Sequence, residues 1–124
     1  HVMEPLYGYM LLAKGLYEQK TQFSQAWNFG PDDDSFMTVG ELTKKAIKIL
    51  KKGSVKIKPD LTKHETHILK LDVTKAKTEL GWSPTLNFEE NLKFTFSWYK
   101  EYYEKPKNIV TFTNKQIKEF FKLK

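Results

Sequence analysis

Residues 87–104 constrain the fold of this chain more than any other stretch. Asn87-Phe-Glu-Glu90 has the form of a capping box, in which the asparagine takes the third helical amide and the glutamate reaches back. Leu92, Phe96, Tyr99 and Tyr103 then recur at steps of 4, 3 and 4, which draws one face of an α-helix. Phe94, Trp98 and Tyr102 cover a second face, and Lys105-Pro106-Lys107 stops the run, since proline can neither donate nor continue the helix. At 124 residues the chain is one compact domain or a piece of one.

Other segments carry the same kind of punctuation. Val2, Leu6, Tyr9, Ala13 and Leu16, widened by Met10 and Tyr17, form a stripe that predicts a helix from Met3 or Glu4 to about Gln19, with Pro5 tolerated in its first turn. Thr38-Val-Gly-Glu41 is a second capping box; Val39, Leu42, Ala46 and Ile49 follow at helical spacing, and Gly53 is placed for a left-handed cap. Val73, Ala76 and Leu80 predict a short helix ending at Gly81, with Trp82 folding back on it as an apolar cap contact. Three stretches read as strands: Ala26–Gly30, the alternating Ser54–Lys58 and Ile109–Phe112. Thr113 is then expected to cap a last helix through Ile117, Phe120 and Phe121. The expected fold class is α/β, mixed and helix-rich, in a single unit over 1–124.

Composition excludes several functions. Without cysteine there is no disulfide framework and no thiolate zinc site. No run of about 18 apolar residues and no secretory leader is visible, which fits a cytoplasmic protein. The net charge of +6 raises nucleic acid as a partner, but every basic residue is lysine, and base-edge readout leans on the arginine fork. Scattered lysines are the pattern of solvated helix faces, so nucleic acid is not the expected partner. A small basic binding module without enzymatic ancestry is the competing reading.

The motifs for chemistry fail on spacing. His64-Glu-Thr-His67 puts its histidines at i and i+3, where the zinc-protease helix needs i and i+4. Asp32, Asp33 and Asp34 are adjacent rather than alternating, so a solvated loop is expected and no metal. Tyr103 and Lys107 are the one Tyr-x-x-x-Lys pair, and Pro106 lies inside it. The six glycines are isolated, so no glycine-rich turn exists to hold a dinucleotide pyrophosphate. No catalytic residue is expected. What remains suits ligand binding: Asn28 between Trp27 and Phe29, able to donate and accept or else to satisfy a loop backbone, and His64 and Glu65, able to contact a phosphate or ribose or else to pair at the surface. Trp82 and Trp98 are expected in the core.

Several of these segments, taken in order, resemble the C-terminal part of the extended short-chain dehydrogenase/reductases that act on nucleotide sugars, the NAD-dependent epimerase/dehydratase family. They are His1-Val-Met-Glu-Pro-Leu6, Trp27-Asn-Phe-Gly-Pro31, His64-Glu65, Leu69-Lys-Leu-Asp72, Lys75-Ala-Lys77, Leu80-Gly-Trp-Ser-Pro84 and Trp98-Tyr99. Leu-Gly-Trp-x-Pro marks the broad family, and Glu-Pro-Leu with His-Glu and Leu-Lys-Leu-Asp is similar to its CDP-sugar 4,6-dehydratase branch. The resemblance implies a substrate-binding lobe lacking the Rossmann half. Its partners are then a CDP-glucose-like nucleotide sugar and the missing N-terminal domain, which would carry NAD and the catalytic tyrosine and lysine. It further implies Asn28 and His64 as substrate-binding residues, Glu4 and Glu65 as weaker candidates, inactivity of the lobe by itself, and an exposed apolar patch. The family's usual tryptophan-glutamine does not precede His1, which implies truncation within an element. An epimerase lobe is the nearer alternative.

Overall fold

The computed structural model describes residues 1–32, 37–58 and 70–124. Among the described residues, five α-helices make the framework: α1 Met3–Tyr17, α2 Val39–Leu50, α3 Thr74–Glu79, α4 Phe88–Glu104 and α5 Ile109–Leu123. Short 3₁₀ turns at Thr21–Phe23 and Pro106–Asn108 join them. Helix α4 packs against α2 and against α5, which covers Leu92, Phe94, Phe96 and Trp98, whereas Tyr99, Tyr102 and Tyr103 toward its C-terminal end stay exposed. No helix among the described residues is long and apolar enough to cross a membrane.

The capping chemistry is local and it forms. Thr38 Oγ1 accepts from Glu41 N at 3.2 Å while Glu41 accepts from Thr38 N at 3.0 Å. Asn87 and Glu90 repeat the exchange at 3.0 and 2.9 Å. Each box satisfies amides that the first helical turn leaves without partners. Helix α2 ends one step earlier than its glycine implies. Lys51 adopts the left-handed conformation at φ 54°, and Gly53 follows with φ 99°.

The α/β expectation is corrected in its β part, because no strand occurs among the described residues. Residues 26–30 and 54–58 run without regular structure. An apolar or alternating run becomes a strand only when a neighbouring chain takes its N–H and C=O groups, and no described segment does so. Ile109–Phe112 is the first turn of α5, launched by the proline turn at 106–108, and Thr113 lies inside the helix instead of capping it. Ile109, Phe112, Thr113, Gln116 and Phe120 face inward at helical spacing. The helical cost of the β-branched residues is a few tenths of a kcal/mol each, which packing against α4 exceeds. Thr113 Oγ1 accepts from Trp98 Nε1 at 2.8 Å, and Gln116 Nε2 donates to Phe94 O at 2.8 Å, so both polar residues on this face are satisfied where they are covered.

The core is organised on Trp82, 1% exposed, with Val73 and Ala76 beside it and Tyr7, Leu11, Trp27, Phe29 and Leu80 around it. Gly81 at φ 69° makes the turn that brings Trp82 back onto α3, where its amide donates to Ala76 O at 3.0 Å. Helix α1 approaches this core along Glu4, Gly8, Leu11 and Gly15. The two glycines act as slots: a Cβ on Gly8 would stand 2.3 Å from the Phe29 ring, and one on Gly15 2.1 Å from the Phe23 ring.

Candidate functional site

Asn28 sits in the extended run that leaves the Thr21–Phe23 turn, where Phe29 is seated in the Gly8 slot. Its flank is exposed, and its amide Nδ2 donates to the backbone oxygen of Asp72 at 3.2 Å, 44 residues away. Two further polar crossings tie the same strips together. Lys75 Nζ donates to Gln25 Oε1 at 2.7 Å and to Ala26 O at 3.2 Å, while its ammonium lies 4.4 Å from the centre of the Trp27 ring. Lys77 forms an ion pair with Asp32. Between them Gly30 packs against Leu71 and Val73. The strips 25–32 and 70–77 therefore meet edge to edge, and a groove of about 400 Å³ opens beside them, lined by Lys70, Leu71, Asp72, Thr74 and Lys77.

Asp72 holds this arrangement in place. Hydrogen bonds from the Thr74 side chain and amide keep its carboxyl below the usual aspartate range, the amide contact being 2.8 Å. A carboxylate at this point stabilises the amide that opens α3. The result is a polar edge of mixed charge, with the ammonium groups of Lys75 and Lys77, the carboxylates of Asp32 and Asp72, the Asn28 amide and backbone oxygens along an exposed flank, suited to polar contacts with a small molecule more than to a covalent step.

Glu4 has a different place. It is buried at the start of α1, and its carboxylate accepts from Thr85 N at 3.0 and 3.1 Å and from Leu86 N at 2.7 Å. Its own carbonyl accepts from Trp82 Nε1 at 3.1 Å. Glu4 also lines a cavity of about 520 Å³, with Phe29, Pro31, Leu42, Phe88 and Asn91 among its walls. His64 and Glu65 lie outside the described residues, as do His67, Asp33 and Asp34. Among the described residues no three histidine or carboxylate side chains gather as a metal site. Asn28 is thus brought together with Asp72, Lys75 and Lys77, while among the described residues Glu4 is linked to it through Trp82 and Phe29. The three motif residues of 72–77 were visible as charges within the resemblance. Nothing in their spacing points to the strip 44 residues earlier.

No protein-family model matches the chain. It is similar to enzymes of sugar nucleotides, dehydratase and epimerase alike. Over 101 residues, 81% of this chain, it is 39% identical to CDP-glucose 4,6-dehydratase of Salmonella typhimurium, and it spans 28% of that enzyme's length. Over 36 residues, 29% of this chain, it is 47% identical to GDP-mannose 3,5-epimerase 1 of Oryza sativa subsp. indica and of subsp. japonica, spanning 10% of each. The match to the dehydratase is consistent with a C-terminal portion of such an enzyme.

Proposed function

We propose that this chain is the substrate-binding lobe of an NAD-dependent nucleotide-sugar 4,6-dehydratase that takes CDP-glucose. The observation that carries the reading is the 39% identity to CDP-glucose 4,6-dehydratase across 81% of the chain. The edge at Asn28 supports it, since its exposed amide and the polar groups beside it suit the hydroxyl-rich ribose and sugar of a nucleotide sugar. In this reading Asn28 contacts the substrate, His64 and Glu65 complete the contact, and Glu4 holds the wall behind it.

In the expected reaction C4 of the sugar is oxidised, water is lost across C5 and C6, and hydride returns to C6. NAD supplies the hydride acceptor and donor when bound. The residues of this chain do not fit it, since the six glycines are isolated and none builds a pyrophosphate turn. The lobe binds and orients substrate, and by itself leaves it unchanged. NAD and the groups that move protons belong to a Rossmann portion beyond this lobe.

Saturation-transfer NMR of CDP-glucose with NAD and this chain tests both halves of the reading. We expect saturation of the cytidine and ribose signals and no 6-deoxy methyl signal. Absence of transfer would refute binding; a new methyl signal would refute inactivity. The epimerase reading rests on the 36-residue match to GDP-mannose 3,5-epimerase 1, and stronger transfer to GDP-mannose than to CDP-glucose would favour it.

A further inference from the structure

The carboxylate of Glu4 accepts three hydrogen-bond contacts from two successive backbone amides, those of Thr85 and Leu86. These are the last residues before Asn87, which caps α4. A carboxylate holding two amides is a charge-assisted clamp, and a neutral amide in its place keeps one acceptor oxygen and turns a donor toward a donor. The same residue's carbonyl takes the indole N–H of Trp82. Trp82 meets Phe29 edge to face, with ring centres 5.0 Å apart. Phe29 is locked in the Gly8 slot, and the next residue toward the N-terminus is Asn28, tied to Asp72. One continuous set of contacts therefore runs from Glu4 through Trp82 and Phe29 to the exposed amide at the candidate site.

We infer that Glu4 is a positioning residue: it pins the Trp82–Leu86 turn to the start of α1 and, through Trp82 and Phe29, sets where Asn28 presents its amide to a nucleotide sugar. The inference rests on the proposed substrate-binding role. It gives Glu4 no contact with substrate, because its carboxylate is buried and engaged by backbone donors.

The test compares E4Q with Thr113→Val in this chain, well below either melting temperature. Thr113→Val removes the acceptor of the Trp98 indole at the opposite, α4–α5 side, so it lowers stability without touching the set of contacts from Glu4 to Asn28. Titration with CDP, followed by the Asn28 side-chain amide signal, is the readout. We expect E4Q to weaken CDP binding by about five- to thirtyfold, the factor carried by loss of one or two such bonds, with Glu4→Asp recovering part of the loss and Thr113→Val leaving affinity unchanged. Wild-type affinity in E4Q, or an equal loss in both variants, would overturn the inference. Should wild-type protein fail to bind CDP, the proposed function fails, and the Asn28 signal in free protein decides this inference separately. A displaced Asn28 amide in E4Q, unmoved in Thr113→Val, supports it; an Asn28 amide unmoved in E4Q overturns it.

Discussion

The two faces of α1 behave in opposite ways. One carries Val2, Leu6, Tyr9, Met10 and Leu16, the stripe with helical spacing, and it is exposed, with Tyr9 at 56%. The other carries Glu4, Gly8, Leu11 and Gly15, and it is the face that meets the core. Hydropathy alone ranks them the wrong way round within this chain. Burial here is decided by what can approach: two glycines let the rings of Phe29 and Phe23 reach the helix backbone, and a side chain at either place would collide with them. The exposed stripe is apolar surface of the kind that marks an interaction face.

The contrast can be broken in several ways. Trp82→Ala, on the buried side, removes the ring that Glu4 holds and should cost about 3–5 kcal/mol, read by denaturant unfolding. Gly8→Ala drives a Cβ into the Phe29 ring. We expect a net loss of about 1–2 kcal/mol, the overpacking cost exceeding the gain of about 1 kcal/mol in helix propensity, and a shifted Asn28 signal. Leu6→Ser and Met10→Ser, on the exposed stripe of the same helix, should each change stability by no more than about 0.5 kcal/mol. If the serine variants proved as costly as Gly8→Ala, the assignment of the two faces would be wrong.

The smallest effect is set by pH. Asp72 has its carboxyl held down by the Thr74 side chain and amide, so its folded pKa lies below its unfolded one. The stability it contributes is full at neutral pH and is lost as the pH falls through the folded value, below about 4. Glu41, held down by the Thr38 amide and hydroxyl, follows the same sign at the start of α2. A fall in the protection factor of the Thr74 amide, its exchange rate relative to the intrinsic rate at each pH, below pH 4 and absent in Asp72→Ala because the contact is already gone, checks this.

What the sequence made legible were the features encoded over a few residues. Both capping boxes, the bounds of α1 within two residues, the turn at Gly81 and the core place of Trp82 follow from short-range chemistry. The inner face of α1 was hidden because glycine contributes nothing to an apolar pattern. Ile109–Phe112 read as a strand because four residues cannot separate the two periods, and the inward Thr113 and Gln116 broke the apolar spacing that would have marked the helix. Strands at 26–30 and 54–58 depend on a neighbour that local patterning cannot supply. At the site, Asn28 stood out through its aromatic neighbours, whereas its bond to Asp72 joins residues 44 apart and comes only from the folded chain.

Calorimetric titration of the chain with CDP, UDP, dTDP and GDP, repeated on Asn28→Ala, tests the central claim most directly. The account predicts that CDP binds most tightly and that Asn28→Ala weakens it by about tenfold, the value of one hydrogen bond to a charged ligand. Equal affinity for all four nucleotides, or CDP binding untouched by loss of Asn28, would contradict it.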